Sequence, residues 1–473
     1  MIAVLLGCHQ NNPLPDQPER EEVIFWHFWG GEDRAVVDDI VKTFNLHQQQ
    51  YRVRSIAMPG NNLQAKLFLA VAGGDPPDIV NQDDPVLADW AKRGVIQPLN
   101  NVADASDVDA ITQSLLAPAR KLSLVDDQLY AVCNGLDIRA LIYNQTALEN
   151  AGLTAPETIE QLDAIASHFA LSESDTETET ETQSPSQRLK APVGYLPDSR
   201  RLWAWGPVFG ANFYDQQTKQ LTLDSAPAEA ALKWMARYGQ RYGADNLAAF
   251  GQGDQSLPGK TFPLLPVADD SLVGRYIVMM DGQWRIRDIN QFQQRRAQRN
   301  LPEVNFGVCP LPFVDGNHDG RPDPPSRKDA GWVNGNFFVV PAGAKCSAGA
   351  WAFAKFWIGQ SQSNEADAAG WYAKGGWIPV TKKVIQSKNY QNYLTENPLI
   401  NTFVQLADSP HQYPIPAVTG AAMLKREVEN LTYDAMMNDY DSAAVQGLLK
   451  QRSAEIQRHF TANLAPTHRN RED

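Results

Sequence analysis

Tryptophans and isolated carboxylates are the side chains of this sequence whose types could do specific chemistry. There are 12 tryptophans, more than a core of this size usually requires. Seven fall at expected strand ends or in loops, away from helical core spacing: Trp26 and Trp29 in VIFWHFWGG, Trp203 and Trp205 in RLWAWG, Trp284 in DGQWR, Trp332 in GWVNG and Trp377 in GGWIP. An indole face is flat and apolar, so it suits the C–H face of a sugar-like ring, while a few placed acceptors take the hydroxyl rim. Asp83, after a short strand-like run, and Asn334 are groups of that kind, and a carboxylate accepts from two adjacent hydroxyls at once. Asp83 equally suits the N-cap of the helix that DDPVLADWA begins. Each tryptophan has a plainer reading as a packing residue, and Trp234, Trp351 and Trp357, on amphipathic runs, are expected in the core.

Catalysis fits less well. A glycoside hydrolase needs two carboxyl groups facing across one bond. The pairs here, Asp83 with Asp84 and Asp126 with Asp127, are chain neighbours, which rarely face each other. The sequence has no His/Cys metal cluster, G-x-S-x-G elbow or phosphate loop. DGNHDGRPD sets Asp315, Asn317, Asp319 and Asp323 at positions 1, 3, 5 and 9 of a calcium-loop pattern with Gly320 at the turn, but Ser326 stands where the bidentate Glu belongs. A plain acidic loop is favoured, so no cofactor is expected, with calcium as the alternative. Cys8, Cys133, Cys309 and Cys346 form neither a metal spacing nor a disulfide framework. A net charge of -13 argues against nucleic acid, and Arg295, Arg296 and Arg299 read as a solvated helix face.

The elements that must position these residues alternate. Val23 to Phe28 reads as a buried strand, Arg34 to Phe44 as a helix, YRVRSIAM as a strand, NNLQAKLFLAVAGG as a helix and PPDIVNQ as a third strand. This is the pattern of an open α/β sheet, which places ligands at the carboxyl ends of its strands, where Trp26 to Gly31 lies. Helices are expected at Thr146 to Ala151 and Thr158 to Phe169. The stretch 172–187 (SESDTETETETQSPSQ) has no bulk to bury and reads as a disordered insertion. At the amino end, Ile2 to Leu6 followed by Gly7 and Cys8 resembles the lipobox of bacterial lipoproteins, in which the cysteine is lipidated. Residues 9–22 follow as a flexible tether.

The segments AVAGGDPPDIV, LYAVCNGLDIRALIYNQTALENAGL, MMDGQWRI, NFGVCPLPF, GWVNGNFFVVPAG and GGWIPVTKK, in this order, resemble family 1 extracellular solute-binding proteins. These are the binding components of sugar ABC importers, related to maltose-binding protein. The resemblance implies a two-lobed α/β periplasmic-binding-protein-like fold with several interlobe crossings and a ligand cleft. By it, lobe 1 takes 23–136 and 312–375 and lobe 2 takes 137–311 and 376–465, with crossings near Gly135 to Arg139, Val308 to Leu311, and Gly375 to Gly376. Such crossings suit a hinge, since a few residues at element ends absorb the rotation. Trp284 matches a position that often stacks on sugar, and Asp137 an acidic position that often accepts hydroxyl hydrogen bonds. The implied partners are a carbohydrate and ABC permease subunits, for a monomer exported to the cell envelope and held there by lipid on Cys8. A sensory sugar-binding protein would share fold and site, and only its partner would differ.

Overall fold

The computed structural model describes residues 20–83, 85–170, 189–257 and 261–464. Cys8, the tether up to residue 19 and the acidic insertion lie outside the described residues. The strands are β1 (Glu21–His27), β2 (Tyr51–Ala57), β3 (Ile79–Gln82), the short pair β4 (Leu124–Val125) and β5 (Gln128–Leu129), β6 (Ala131–Asn144), the short pair β7 (Tyr214–Asp215) and β8 (Gln220–Leu221), β9 (Val278–Gly282), β10 (Phe306–Cys309), β11 (Gly331–Val339) and β12 (Gln412–Tyr413). The expected tether therefore ends early, since Glu21 and Glu22 already pair with Tyr51 and Arg52.

The principal sheet has the order β10-β6-β11-β3-β1-β2, with β9 added on β6 and β12 on β11. β1 lies parallel to β2 and β3, whereas β11 runs antiparallel to β3 and β6. The 14-residue β6 is shared by two regions of sheet. Its first part, to Ile138, pairs with β11; from Arg139 onward it pairs with β9 and, from Leu141, with β10. Because neighbours cover both its faces, AVCNGLDIRALIYN is almost uniformly buried and reads as a near-continuous apolar run.

Helix Gly31–His47 packs on the first region through Val36, Val37, Ile40, Val41 and Phe44, the stripe that its 3.6-residue period predicts. Helix Ser347–Trp357 brings Phe353 and Trp357 against Phe25 and Phe338, with ring centres 5.1–6.3 Å apart. The second body gathers helices Leu202–Val208, Ala226–Tyr242 and Ala421–Met437 around Trp205, Trp234 and Leu424. Asp163 ties it together by accepting from Trp234 Nε1 at 2.9 Å and the Tyr238 hydroxyl at 2.8 Å. Polar links cross between the bodies: Arg287 Nη1 pairs with Asp33 at 2.9 Å, and the Gly420 amide donates to Asp89 at 3.0 Å. No helix among the described residues is long and apolar enough to cross a membrane.

Two stretches depart from the expected lobe boundaries. Residues 312–330 stay with the second body, where Phe313 bridges Thr158 and the Ser326 hydroxyl donates to the Val208 carbonyl, so the chain enters the first region only at β11. Nor does it change sides at Gly375 and Gly376. Ile378 bridges Leu136, Thr381 bridges Leu115 and the Leu116 amide donates to Val380, which keeps this segment on the first region. Arg296 is likewise not on a solvated face. It is buried and donates to the Pro302 carbonyl at 2.6 Å, while Arg299 remains exposed and pairs with Asp269.

Helices Ala226–Tyr242 and Ala421–Met437 touch where Gly239 meets the Met436 carbonyl, and a Cβ at 239 would overlap that oxygen. Gly239→Ala is expected to lower unfolding stability by about 1–3 kcal/mol, as overpacking against rigid backbone does. Chemical denaturation reads this directly; an unchanged midpoint would show that the two helices part at no cost.

Candidate functional site

β6 and β11 run with Asn334 opposite Asp137 and Val333 opposite Ile138. Directly opposed residues share a sheet face, and alternation sets i and i+2 on one side. Asp137, Arg139, Trp332 and Asn334 therefore occupy one face, while Ile138 and Val333 turn to the other and are buried. β9 contributes from the opposite edge, where Gly282 pairs with Arg139 and Gln283 and Trp284 follow at once. Gln283 locks this junction from inside. Its Nε2 donates to the Leu136 carbonyl at 2.8 Å and to Asp137 Oδ1 at 3.4 Å, while its Oε1 accepts from the Ile138 amide at 3.1 Å. Glycine is required at 282 because the Trp284 ring folds back over the space a Cβ would take. From the next strand, Asn334 Nδ2 donates to the Asp83 carbonyl at 3.0 Å, which ties the end of β3 to the same patch.

Arg139 lies at the centre. Its guanidinium carbon is 4.5 Å from the Trp284 ring centre and 5.0 Å from that of Trp332, and Arg201 approaches Trp332 at 5.6 Å. Contacts of this kind are worth up to about 2 kcal/mol when desolvated. Burial holds the Asp137 carboxyl above its ordinary range, opposed by the Arg139 charge and the Gln283 hydrogen bond; burial likewise lowers Arg139, opposed by Asp137. Arg139 Nη1 and Trp332 Nε1 are buried donors without a partner. A cavity of about 470 Å³ has Arg139 in its wall, with Asp198, Arg201 and Tyr276. A larger groove, about 1110 Å³, runs between Lys121 and Tyr130 on one side and Trp203, Tyr214 and Tyr413 on the other. Asp137, Trp284, Trp332 and Asn334 line neither space, and Arg139 is the member of the patch that reaches the smaller one.

Comparison with known proteins agrees with this architecture. The family described as bacterial extracellular solute-binding protein matches residues 39–397. The chain belongs to that family. The fold also matches solved structures of low identity. CpMnBP1 with mannotriose bound is similar at 21% identity and a TM-score of 0.69, over 92% of this chain and 100% of that one. The cyclic alpha-maltosyl-1,6-maltose binding protein from Arthrobacter globiformis gives 18%, 0.67, 93% and 100%. The sugar-binding protein MalE from Xanthomonas citri gives 19%, 0.66, 93% and 99%.

In this solute-binding protein the structure gathers Asp137, Trp284, Trp332 and Asn334 as one patch, with Asp83 contributing its carbonyl at the edge. The other tryptophans are elsewhere. Trp29 is buried in a stack with Trp357 at 5.3 Å and Trp377 at 5.6 Å, so its faces are taken. Trp26 points to the other side of β1 and packs with the Val80 and Trp90 cluster. Trp205 is 0% exposed against Tyr195 and Trp234, and Trp203, 4% exposed, packs edge-on against Phe213. Trp377 closes the stack and is only half-buried. The two tryptophans nearest Arg139 are thus Trp284 and Trp332. Two participants escaped the sequence reading. Arg139 follows Asp137 by two in GLDIR, a spacing that in a strand means the same face, and Gln283 precedes Trp284 in GQW.

The 315–323 loop is satisfied from within. Asp315 accepts the amides of Asp319 and Gly320 at 3.0 Å, and Asp323 that of Gly316 at 2.8 Å; Asn317 and Asp319 each accept an amide two residues on. These are turn contacts. Among the described residues no group of three or more His, Cys, Asp or Glu gathers as a metal site. Cys133, Cys309 and Cys346 are free thiols, and burial pushes Cys133 and Cys309 up to about 12.

His27 ends β1 beside Trp29, 1% exposed, with ring centres 5.8 Å apart and no partner for Nδ1. Burial lowers its pKa to about 4, while Asp38 and Arg34 act in opposite directions. The unfolded chain therefore takes up the proton first. Stability should be complete above about pH 6.5 and decline toward pH 4, by about 3 kcal/mol in all. Denaturation midpoints across this window, compared between wild type and His27→Phe, check it: parallel profiles would remove His27 as the cause.

Proposed function

We propose that this protein is the substrate-capturing component of an ABC importer. It binds a carbohydrate of oligosaccharide size in the cleft beside β6 and delivers it, without chemical change, to permease subunits. The observation that carries this is the patch itself, with Trp284 and Trp332 beside Asp137, Arg139 and Asn334 at the strand that both bodies share. Trp332 is buried beneath Arg139 and Arg201, so the partly exposed Trp284 is the aromatic left for a sugar, beside the polar groups that its hydroxyls require. Structures of similar fold carry mannotriose or are described as sugar-binding, which favours the same ligand class. Closure about β6 brings Arg287 to Asp33 and Gly420 to Asp89, and a ligand touching both bodies favours the closed form by those added contacts. Titration calorimetry with mannotriose, maltotriose and the best binder of a thermal-shift screen tests it. Trp284→Ala should weaken that binder by roughly tenfold to a hundredfold, about 1–3 kcal/mol, with little loss of folding stability. Unchanged affinity beside a large stability loss would make Trp284 a packing residue only.

We further propose that the protein is held at the envelope membrane by acyl chains on Cys8, supported by the LLGC motif and the proline-rich polar stretch behind it. Two chains give stable anchoring where one does not. Cys8→Ser should move the protein from the membrane fraction to the soluble one; continued sedimentation with membranes would rule the anchor out.

A further inference from the structure

We propose that the ligand is an acidic oligosaccharide carrying a uronate carboxylate, and that Arg139 is the residue that selects it. This rests on the carbohydrate reading above and sharpens it. Two buried donors on one sheet face, Arg139 Nη1 and Trp332 Nε1, have no acceptor in the protein. The guanidinium carbon lies 4.5 Å from the Trp284 ring centre and 5.0 Å from that of Trp332, contacts that need none of its N–H groups. The fork is therefore fixed in place with its hydrogen bonds still to be made.

The carboxylates nearby are committed. Asp281 pairs with Arg285 at 2.7 Å, Asp198 with Arg201 at 3.3 Å and Asp33 with Arg287 at 2.9 Å. Asp137, two residues away on the same face, is engaged by Gln283, and burial shifts its carboxyl toward the neutral form. Among the described residues Arg139 makes no ion pair at all. A half-buried guanidinium that feels Asp137 through space but makes no direct ion pair is complementary to a carboxylate, whose two oxygens match the planar fork. A neutral hydroxyl satisfies one N–H and leaves the charge uncompensated.

The test uses the full chain and matched ligands: oligogalacturonates, oligomannuronates and glucuronoxylan aldouronates, each beside its neutral methyl ester, with mannotriose as an unrelated neutral control. At least one free acid should bind ten times or more tighter than its own ester by titration calorimetry. Arg139→Gln should erase that preference, and Arg139→Lys should keep part of it. Denaturation midpoints of both variants confirm that they fold; should the glutamine variant unfold, the lysine variant and the acid-to-ester ratio of the wild type still decide. Mannotriose or an ester binding as well as every acid would overturn the proposal while leaving the carbohydrate reading intact. Failure of all sugars, neutral and acidic, would remove both.

Discussion

The site depends on one irregularity in the pairing of β6 with β11. Phe337 lies opposite Cys133, yet Asn336 lies opposite Gly135, so Asn134 is an extra residue on β6. An extra residue shifts the phase of everything beyond it. Before the bulge, Val132 shares a face with Phe338; after it, that face is carried by Gly135, Asp137 and Arg139. Regular alternation would have set Leu136 and Ile138 beside Trp332 and Asn334 and turned Asp137 and Arg139 away from them. The bulge is itself supported, since the Tyr372 hydroxyl donates to the Asn134 carbonyl at 2.7 Å and Tyr372 is fully buried.

This explains which parts of the molecule were legible in the sequence. Trp234, Trp351 and Trp357 lie on helices whose 3.6-residue pattern assigns them to the core, and the core is where they are. Asp137 and Trp284 came from an ordered family pattern, and the structure brings them to one patch. Trp29 and Trp205 were misjudged because their covers come from remote segments. Trp29 is capped by residues 357 and 377, and Trp205 by 195 and 234, partners that no local spacing reveals. Arg139 was missed although its spacing from Asp137 was in plain view. A basic residue in a run of buried strand reads as an interruption until the bulge and register show what it faces.

The lobe boundaries failed for a related reason. A chain crossing is decided by which strand the segment pairs with, and the two glycines at 375 and 376 signal a helix end without saying where the chain goes next. Gly376 adopts a left-handed conformation, φ 64°, as a helix terminator, and the segment beyond it returns to Leu115 and Leu136. Likewise the acidic loop at 315–323 has the composition of an ion site, but its side chains serve its own backbone amides.

Electrostatics at the β6 junction then follow from burial. Several arginines and aspartates gather around this junction, where an unpaired charge becomes costly as burial increases. Asp33, Asp198 and Asp281 each have an arginine within 3.3 Å, and these pairs neutralise the walls of the cleft. Arg139 is different, since two indole rings join Asp137 in offsetting its desolvation and no carboxylate contacts it directly. Indole contacts stabilise the cation without closing its hydrogen-bond valences, so the protein is packed but not polar-satisfied at Arg139 Nη1 and Trp332 Nε1. Trp332 lies in β11 and Trp284 follows β9, on the two edges of β6, so an acceptor for Arg139 would tie both edges of that strand together.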